Sequence, residues 1–407
     1  MKRRGELTFA HNRAIGRHGW LRLTPAYSVR LVDEVLGSLG PDARRVLEPF
    51  CGTGTTPLSA AERGLEAVAV DINPFLVWLA RAKTARYSEA ELAAARARIE
   101  AASAAILDEA ATAAPAPPIT SIERWWSEPV LAALRRLRAA FDLEPPGGAR
   151  DLLDVIFCRT MITTSNAAFH HPSMSFRGEA KRPSHAAMRA QLEADAALVL
   201  GSAAQAPPGA ATVVRGDSIA LDASLRSAID GPPSSMTFDV LVTSPPYPNR
   251  MSYVRELRPY MYWMGHLRAP RDAGELDWAA IGGTWGVATS RLSRWTPTGA
   301  PMPRGLLSAA RRIQRSGEKN AALMSQYVLK YFDDMGRHFV DAAKLMRVGG
   351  SVHYVVGNAA FYGALVPTER FFCEQLRMVG FSRAESKPLR KRNSKRELFE
   401  FEVRAVR

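Results

Sequence analysis

The sequence predicts a doubly wound, mostly parallel α/β sheet carrying a helical insertion and a basic loop region. Three observations predict it. Val46 and Leu47 end a short apolar run, and Gly52 and Gly54 then make a tight turn into a helix. A second apolar run, Ala67-Val68-Ala69-Val70, ends in Asp71. A third, Phe238–Thr243, ends in Ser244-Pro245-Pro246-Tyr247, where two prolines must stop the strand and stiffen the chain. Ligand sites of open α/β sheets lie beyond such carboxyl ends.

The remaining elements follow in chain order. Residues 28–39 carry an apolar stripe (Val29, Leu31, Val32, Val35, Leu36, Leu39) that reads as a helix on the first strand. The glycine turn leads into a helix near 56–63, and Pro74 fits a first helical position after Asp71. Residues 88–111 are alanine-rich and helical by propensity, with few large side chains to bury. Three prolines within 113–118 read as a boundary or linker. Helical patterns over 120–141, 150–163 and 184–200 make residues 112–209 a helical insertion between two parts of one domain, 1–111 and 210–407.

The sheet pattern resumes at 211–215, followed by Gly216-Asp217, and then at Phe238–Thr243. Residues 268–320 show little periodicity and hold Arg291, Arg294, Arg304, Arg311, Arg312, Arg315 and Lys319, which suits a nucleic-acid contact. A long amphipathic helix covers 321–347, a strand 352–356, and a helix runs from Pro367 to Met378. Strands at 381–383 and 398–403 pair around a basic turn at 387–396.

Length and charge narrow the function. The 407 residues allow one large or two ordinary domains. A net charge of +14 points to a polyanionic partner. Cys51, Cys158 and Cys373 give neither a disulfide framework nor metal-ligand spacing, and read as buried thiols. The pair His170-His171 has no spaced Cys or acidic set beside it, so a polar surface or phosphate contact is expected there, not a metal. No stretch reads as a signal peptide or membrane span, and a cytoplasmic enzyme is expected.

The turn presents backbone N–H groups and room for a nucleoside, and Asp71 stands where an acid hydrogen-bonds ribose hydroxyls. It is not a P-loop, because no Gly-Lys-Ser/Thr follows, and it lacks the third glycine of the dinucleotide fingerprint. Taken together, Glu48-Pro49-Phe50-Cys51-Gly52-Thr53-Gly54-Thr55-Thr56, Asp71-Ile72-Asn73-Pro74, Gly216-Asp217 and Thr243-Ser244-Pro245-Pro246-Tyr247 resemble the motifs of DNA amino-methyltransferases of the cytosine-N4 type. The resemblance covers about 15–85 and 211–403, and includes the stretch 17–26, which is similar to the family segment beside the cofactor's methionine part. It implies a Rossmann-like class I methyltransferase fold and S-adenosylmethionine as cofactor. It places Glu48, Phe50, Gly52, Gly54, Thr55, Asp71, Ile72 and Asp217 at the cofactor, and Ser244, Pro245, Pro246 and Tyr247 at the reacting amine.

Two residues depart from the family pattern: Glu48 stands where Asp is usual, and Ser244 where adenine-N6 enzymes more often carry Asp. The second departure is the ground for expecting cytosine N4 as the methylated atom in a flipped DNA base. Adenine-N6 and RNA guanine-N2 methylation are the rival activities, and an inactive fold that only binds nucleic acid is the rival from another class. A restriction-modification role implies a cognate endonuclease as partner, which one chain cannot show.

Overall fold

The computed structural model describes residues 7–8, 10–23, 27–168, 175–176, 181–229, 237–249, 252–283, 287–392 and 398–407. The segment 24–26, His170-His171 and residues 393–396 of the expected basic turn lie outside them.

The chain opens with helix α1 (Val29–Gly37), strand β1 (Arg45–Glu48), helix α2 (Thr55–Glu62), strand β2 (Glu66–Asp71) and helix α3 (Pro74–Thr84). Helices α4 (Glu89–Leu107), α5 (Glu128–Asp142), α6 (Gly148–Thr163) and α7 (His185–Ala203) follow, with a two-residue ribbon, β3 (Ala167–Ala168) and β4 (Ser175–Phe176), between the last two. Strand β5 (Ala210–Arg215), helix α8 (Leu221–Ala228) and strand β6 (Phe238–Thr243) return to the sheet. Then come α9 (Tyr253–Trp263), α10 (Pro270–Ala279), α11 (Val287–Leu292), α12 (Leu306–Gln314) and α13 (Ala321–Leu345). The chain ends with β7 (Met346–Gly357), a small hairpin β8 (Ala359–Phe361) and β9 (Ala364–Val366), α14 (Thr368–Met378), β10 (Ser382–Lys391) and β11 (Phe399–Val406).

Seven strands form one sheet in the order β10-β11-β7-β6-β1-β2-β5. β5, β2, β1, β6 and β7 pair in parallel, β11 is antiparallel to β7, and β10 is antiparallel to β11. β11 alone therefore runs against the rest. Parallel strands buried on both faces need continuous apolar runs, and Val68, Ala69, Val70, Val240, Leu241 and Val242 supply them. This mixed α/β, Rossmann-like arrangement with helical insertions is the class I methyltransferase architecture. The winding reverses between β1 and β6, which opens a crevice at their carboxyl ends. Glu48 and Thr243 are the last residues of those two strands.

The helical layer begins before residue 112. Leu92, Ala95, Ile99, Ala102 and Ile106 form a buried stripe on α4, which packs against α5, α6 and α7. Its alanines let the helices approach closely, so large side chains are not needed. A capping box at Ser88 and Glu91 starts α4. The proline-rich 113–118 stretch is a strap, not a linker: Ala114 N donates to the Arg135 carbonyl at 2.9 Å, and Arg135 Nε donates to the Ala114 carbonyl at 2.6 Å.

The 268–320 region is not a long loop. It contains α10, α11 and α12, all short. α10 begins at Pro270, with the Asp272 carboxylate accepting from Arg268 N and Ala269 N at 2.8 and 2.9 Å. α12 buries Leu306, Ala309, Ala310 and Ile313 on one face against α13. The expected basic turn is also shorter than the sequence suggests, because β10 runs through Lys387, Pro388 and Arg390 to Lys391. Charged residues and a proline suit β10, which is the edge strand of the sheet.

Candidate active site

A cavity of about 350 Å³ opens at the carboxyl ends of β1, β2, β5 and β6. Phe50, Gly52, Asp71, Ile72, Asp217, Ser244, Pro245, Pro246 and Tyr247 all line it. Sequence positions almost 200 residues apart thus meet in one crevice, because β1 and β6 are neighbours.

On the cofactor side, Gly52 holds φ +53°, a left-handed conformation that glycine adopts without strain. Its N–H donates to one Asp71 oxygen at 2.7 Å, and Asn73 N donates to the other at 2.8 Å. The Asp71 carboxyl is pushed up to about 6 by burial, against the pull of backbone N–H bonds from Asn73 and Gly52. Asn73 caps α3 by accepting from Phe75 N at 3.0 Å, which fixes the corner. Phe50 is held in place by the buried His338, whose ring centroid lies 4.9 Å away. His338 in turn bridges the Ser218 carbonyl and the Tyr354 hydroxyl, each at 2.9 Å. Asp217 caps the next turn by accepting from Ile219 N at 2.9 Å.

Three expected cofactor residues do not line the cavity. Glu48 is fully buried beneath the turn. Its carboxylate accepts from Phe50 N at 3.0 Å, the Tyr27 hydroxyl at 3.0 Å, the Thr56 hydroxyl at 2.6 Å and the Thr243 hydroxyl. Those four bonds fill its acceptor positions, so it ties the turn to β6 and does not face a ligand. Burial pushes its carboxyl up to about 8, although Thr243, Thr56, Phe50 and Tyr27 all favour the ionised form. Gly54 caps α2 at φ +79°, where an added Cβ would meet Ala80 Cβ at 2.9 Å. It lets α2 approach α3. Thr55 is buried in the first turn of α2 beside Thr53.

The 17–23 part of the stretch expected beside the methionine moiety also faces away from the cavity. Arg17 is buried between the Trp20 and Tyr87 rings and donates to carbonyls of Lys83, Ala85, Ser202, Ala203 and Gln205. It clasps the N-terminal segment to α3 and α7. Lys83 beside it is buried and donates to the Thr53 carbonyl at 3.0 Å under the turn, and burial lowers its pKa to about 7.

At the other motif, the Ser244 hydroxyl donates to the Val355 carbonyl at 3.0 Å, which leaves its lone pairs as acceptors. The Pro246 carbonyl accepts from Tyr331 OH at 2.8 Å. No described group donates to the Pro245 carbonyl. The Tyr247 hydroxyl donates to Glu400 at 2.8 Å, and the Arg392 guanidinium lies 5.0 Å from the Tyr247 ring centroid.

Several lining residues escaped sequence reasoning. Leu276, Ala279, Ala280 and Ile281 from α10 and its end form an apolar wall, so part of the supposed basic loop closes the cavity. The Ser252 hydroxyl holds that wall to the start of α9 by donating to Asp277 at 2.6 Å. Arg390, Arg392 and Glu400 reach the cavity from β10, β11 and the end of their hairpin, where the sequence offered only a charged edge. Asn73 was legible, since it caps a helix directly after the Asp71 corner.

The donor set fits an S-adenosyl nucleoside: a half-buried carboxylate at a ribose corner, a glycine turn, and apolar walls from Ile72, Leu76 and Ile281. Fold and site define an S-adenosylmethionine-dependent methyltransferase.

Residues 30–105 match the family model of D12 class N6 adenine-specific DNA methyltransferases. The matched stretch holds the glycine turn and Asp71. Two structures of the rRNA methyltransferase aviRa from Streptomyces viridochromogenes are similar at 12% identity. One covers 93% of this chain and 86% of its own at a TM-score of 0.30; the other covers 97% and 92% at 0.31. At those scores the likeness carries no argument. No curated protein matches the sequence.

The D12 match overturns cytosine N4 as the expected target. The expectation rested on Ser244 in place of Asp. The geometry explains why that was a weak guide. A hydroxyl and a backbone carbonyl offer the same pair of acceptors to an adenine or a cytosine amine.

Proposed function

We propose that this protein transfers a methyl group from S-adenosylmethionine to the N6 amine of adenine in DNA. The observation that carries the reading is the convergence of the Gly52–Asp71 corner and Ser244-Pro245-Pro246-Tyr247 on one cavity. The D12 match over 30–105 supports adenine as the base.

The bound cofactor supplies an electrophilic methyl group on a sulfonium. Asp71 takes the ribose hydroxyls, the Gly52 turn gives the methionine part close approach to the backbone, and Ile72 and Phe50 flank the nucleoside. The amine of adenine is a poor nucleophile because its lone pair is delocalised into the ring. Ser244 Oγ and the Pro245 carbonyl accept its two hydrogens, which favours a tetrahedral nitrogen with its lone pair aimed at the methyl group. The two prolines fix where that carbonyl points. A duplex buries the amine, so the base must leave the stack. Tyr247 then offers it a ring face.

DNA is held by exposed cations. Arg294, Arg304, Arg311, Arg312, Arg315 and Lys319 are exposed and form no ion pair with a described acid. α12 packs beside β9, which follows the active-site end of β7. Nothing in the chain points to a partner endonuclease.

Incubation with labelled cofactor and mixed DNA or RNA, followed by nucleoside mass spectrometry, tests the reading. N6-methyladenine in DNA is expected. Label confined to RNA, or to another base, refutes it. Ser244→Ala should slow single-turnover methyl transfer by roughly tenfold or more while cofactor affinity is unchanged, since one neutral hydrogen bond contributes about 0.5–1.5 kcal/mol and its loss also misaligns the amine. An unchanged rate removes Ser244 from the cage.

A further inference from the structure

Two guanidinium groups from one hairpin enter the cavity, and they are not equivalent. Arg390 pairs with Glu400 through two bonds, at 2.6 and 2.9 Å, and Glu400 is only 5% exposed. Glu400 also accepts from the Tyr247 hydroxyl. Arg390 therefore has a buried carboxylate of its own, which also holds the phenol.

Arg392 has no such partner. The one described acceptor of its guanidinium is the Asn358 carbonyl at 2.9 Å, so most of its side-chain N–H donors have no acceptor among the described residues. It forms no ion pair with a described acid. Its position is nevertheless a built one. An added Cβ at Gly357 would lie 2.9 Å from Arg392 Cζ and 3.0 Å from Tyr247 Cδ2, so the glycine opens the slot where the guanidinium rests. Its plane is held near the Tyr247 ring at 5.0 Å. A cation kept in a cavity wall without a carboxylate partner among the described residues suits an anionic ligand.

The sheet order says which anion. The ribose corner lies at β1 and β2, the Ser244 segment at β6, and Arg392 just past the end of β10, beyond β7. Its guanidinium rests at the end of β7, beside Gly357 and Asn358, and at about 4.8 Å per strand β7 is on the order of 14 Å from β2. Arg392 is therefore on the target side of the reacting amine, away from the nucleoside of the cofactor. It also occupies one face of Tyr247, which leaves the base the other face.

We propose that Arg392 binds a backbone phosphate of the nucleotide whose base stacks on Tyr247. The proposal rests on the nucleic-acid methyltransferase reading of the site, but not on which base is methylated. Arg390 and Glu400 act differently, as positioning residues that fix the phenol of that ring.

Binding tests this directly. Anisotropy of a labelled, mixed-sequence single-stranded oligonucleotide is followed over a salt series for the wild type, Arg392→Met and Arg392→Lys, with cofactor affinity measured in parallel by calorimetry. Loss of one phosphate contact should weaken Arg392→Met on the order of tenfold at low salt. It should also make the plot of log affinity against log salt shallower by about 0.7. Arg392→Lys should restore the slope, because it restores the charge. Cofactor affinity should be unchanged in all three, which also shows that the variants fold. An unchanged slope in Arg392→Met, a slope that lysine does not restore, or a fall in cofactor affinity overturns the proposal. A wild-type chain that binds no oligonucleotide instead sinks the reading of the site as a whole, so the two failures are distinct.

Discussion

Replacing Glu48 by Gln removes a titrating carboxyl from beneath the glycine turn while keeping the volume. Glu48 is fully buried, and burial raises its carboxyl from 4.5 to about 8. An acid whose folded pKa is raised binds more protons folded than unfolded. Its contribution to stability is therefore complete below about 4.5, declines as pH rises, and is gone above about 8. Each pH unit in that window removes up to about 1.4 kcal/mol, so the window holds at most about 5 kcal/mol. Glutamine does not titrate. It can turn its carbonyl to Phe50 N, and the hydroxyls of Tyr27, Thr56 and Thr243 can rotate to accept from its amide. Chemical unfolding of both proteins between about pH 5 and 8 isolates the term, because the other titrating groups cancel in the difference. The wild type should lose up to about 4 kcal/mol relative to Glu48→Gln across that range. A difference that stays constant with pH would mean that Glu48 is ionised throughout, and would refute burial as the dominant influence on it. Glu48→Ala should cost roughly 2–6 kcal/mol at about pH 5, because Phe50 N and the Thr243 hydroxyl lose their buried acceptor, and less as pH rises through the same window.

Other outcomes follow from the same geometry. Asp71→Ala should weaken S-adenosylmethionine binding by about 1–3 kcal/mol, since the ribose loses a charged acceptor and the turn loses its anchor at Gly52 N; unchanged calorimetric affinity in a folded variant removes Asp71 from the site. Gly54→Ala should lower stability by about 1–3 kcal/mol, from a left-handed backbone and a Cβ pressed on Ala80, a cost that thermal unfolding would register and whose absence would show that α2 and α3 separate freely. Neutralising Arg311, Arg312 and Arg315 together should weaken DNA binding and flatten its salt dependence without changing cofactor affinity; gel shifts with full affinity would take α12 out of the interface.

The sequence alone determined the sheet and most of the crevice. Apolar runs that stop at Asp71 and at Ser244 are local signals, and glycine and proline mark the chain's turns through their own backbone limits. A doubly wound sheet then brings such ends together, so Phe50, Gly52, Asp71, Asp217 and Tyr247 were legible before any coordinates. Only the tertiary structure decided the rest. Glu48 carries the same motif position whether it faces a ligand or a ring of buried hydroxyls, and its partners Tyr27 and Thr243 come from distant elements. Arg390, Arg392 and Glu400 looked like ordinary charges of an edge hairpin until β11 paired with β7 and set them beside Tyr247. The short helices α10 and α12 were hidden because a helix of about ten residues is held by packing more than by propensity. The target base escaped the motif for a related reason: a serine hydroxyl and a proline carbonyl cage an amine, and the shape that selects its ring is assembled from the whole fold.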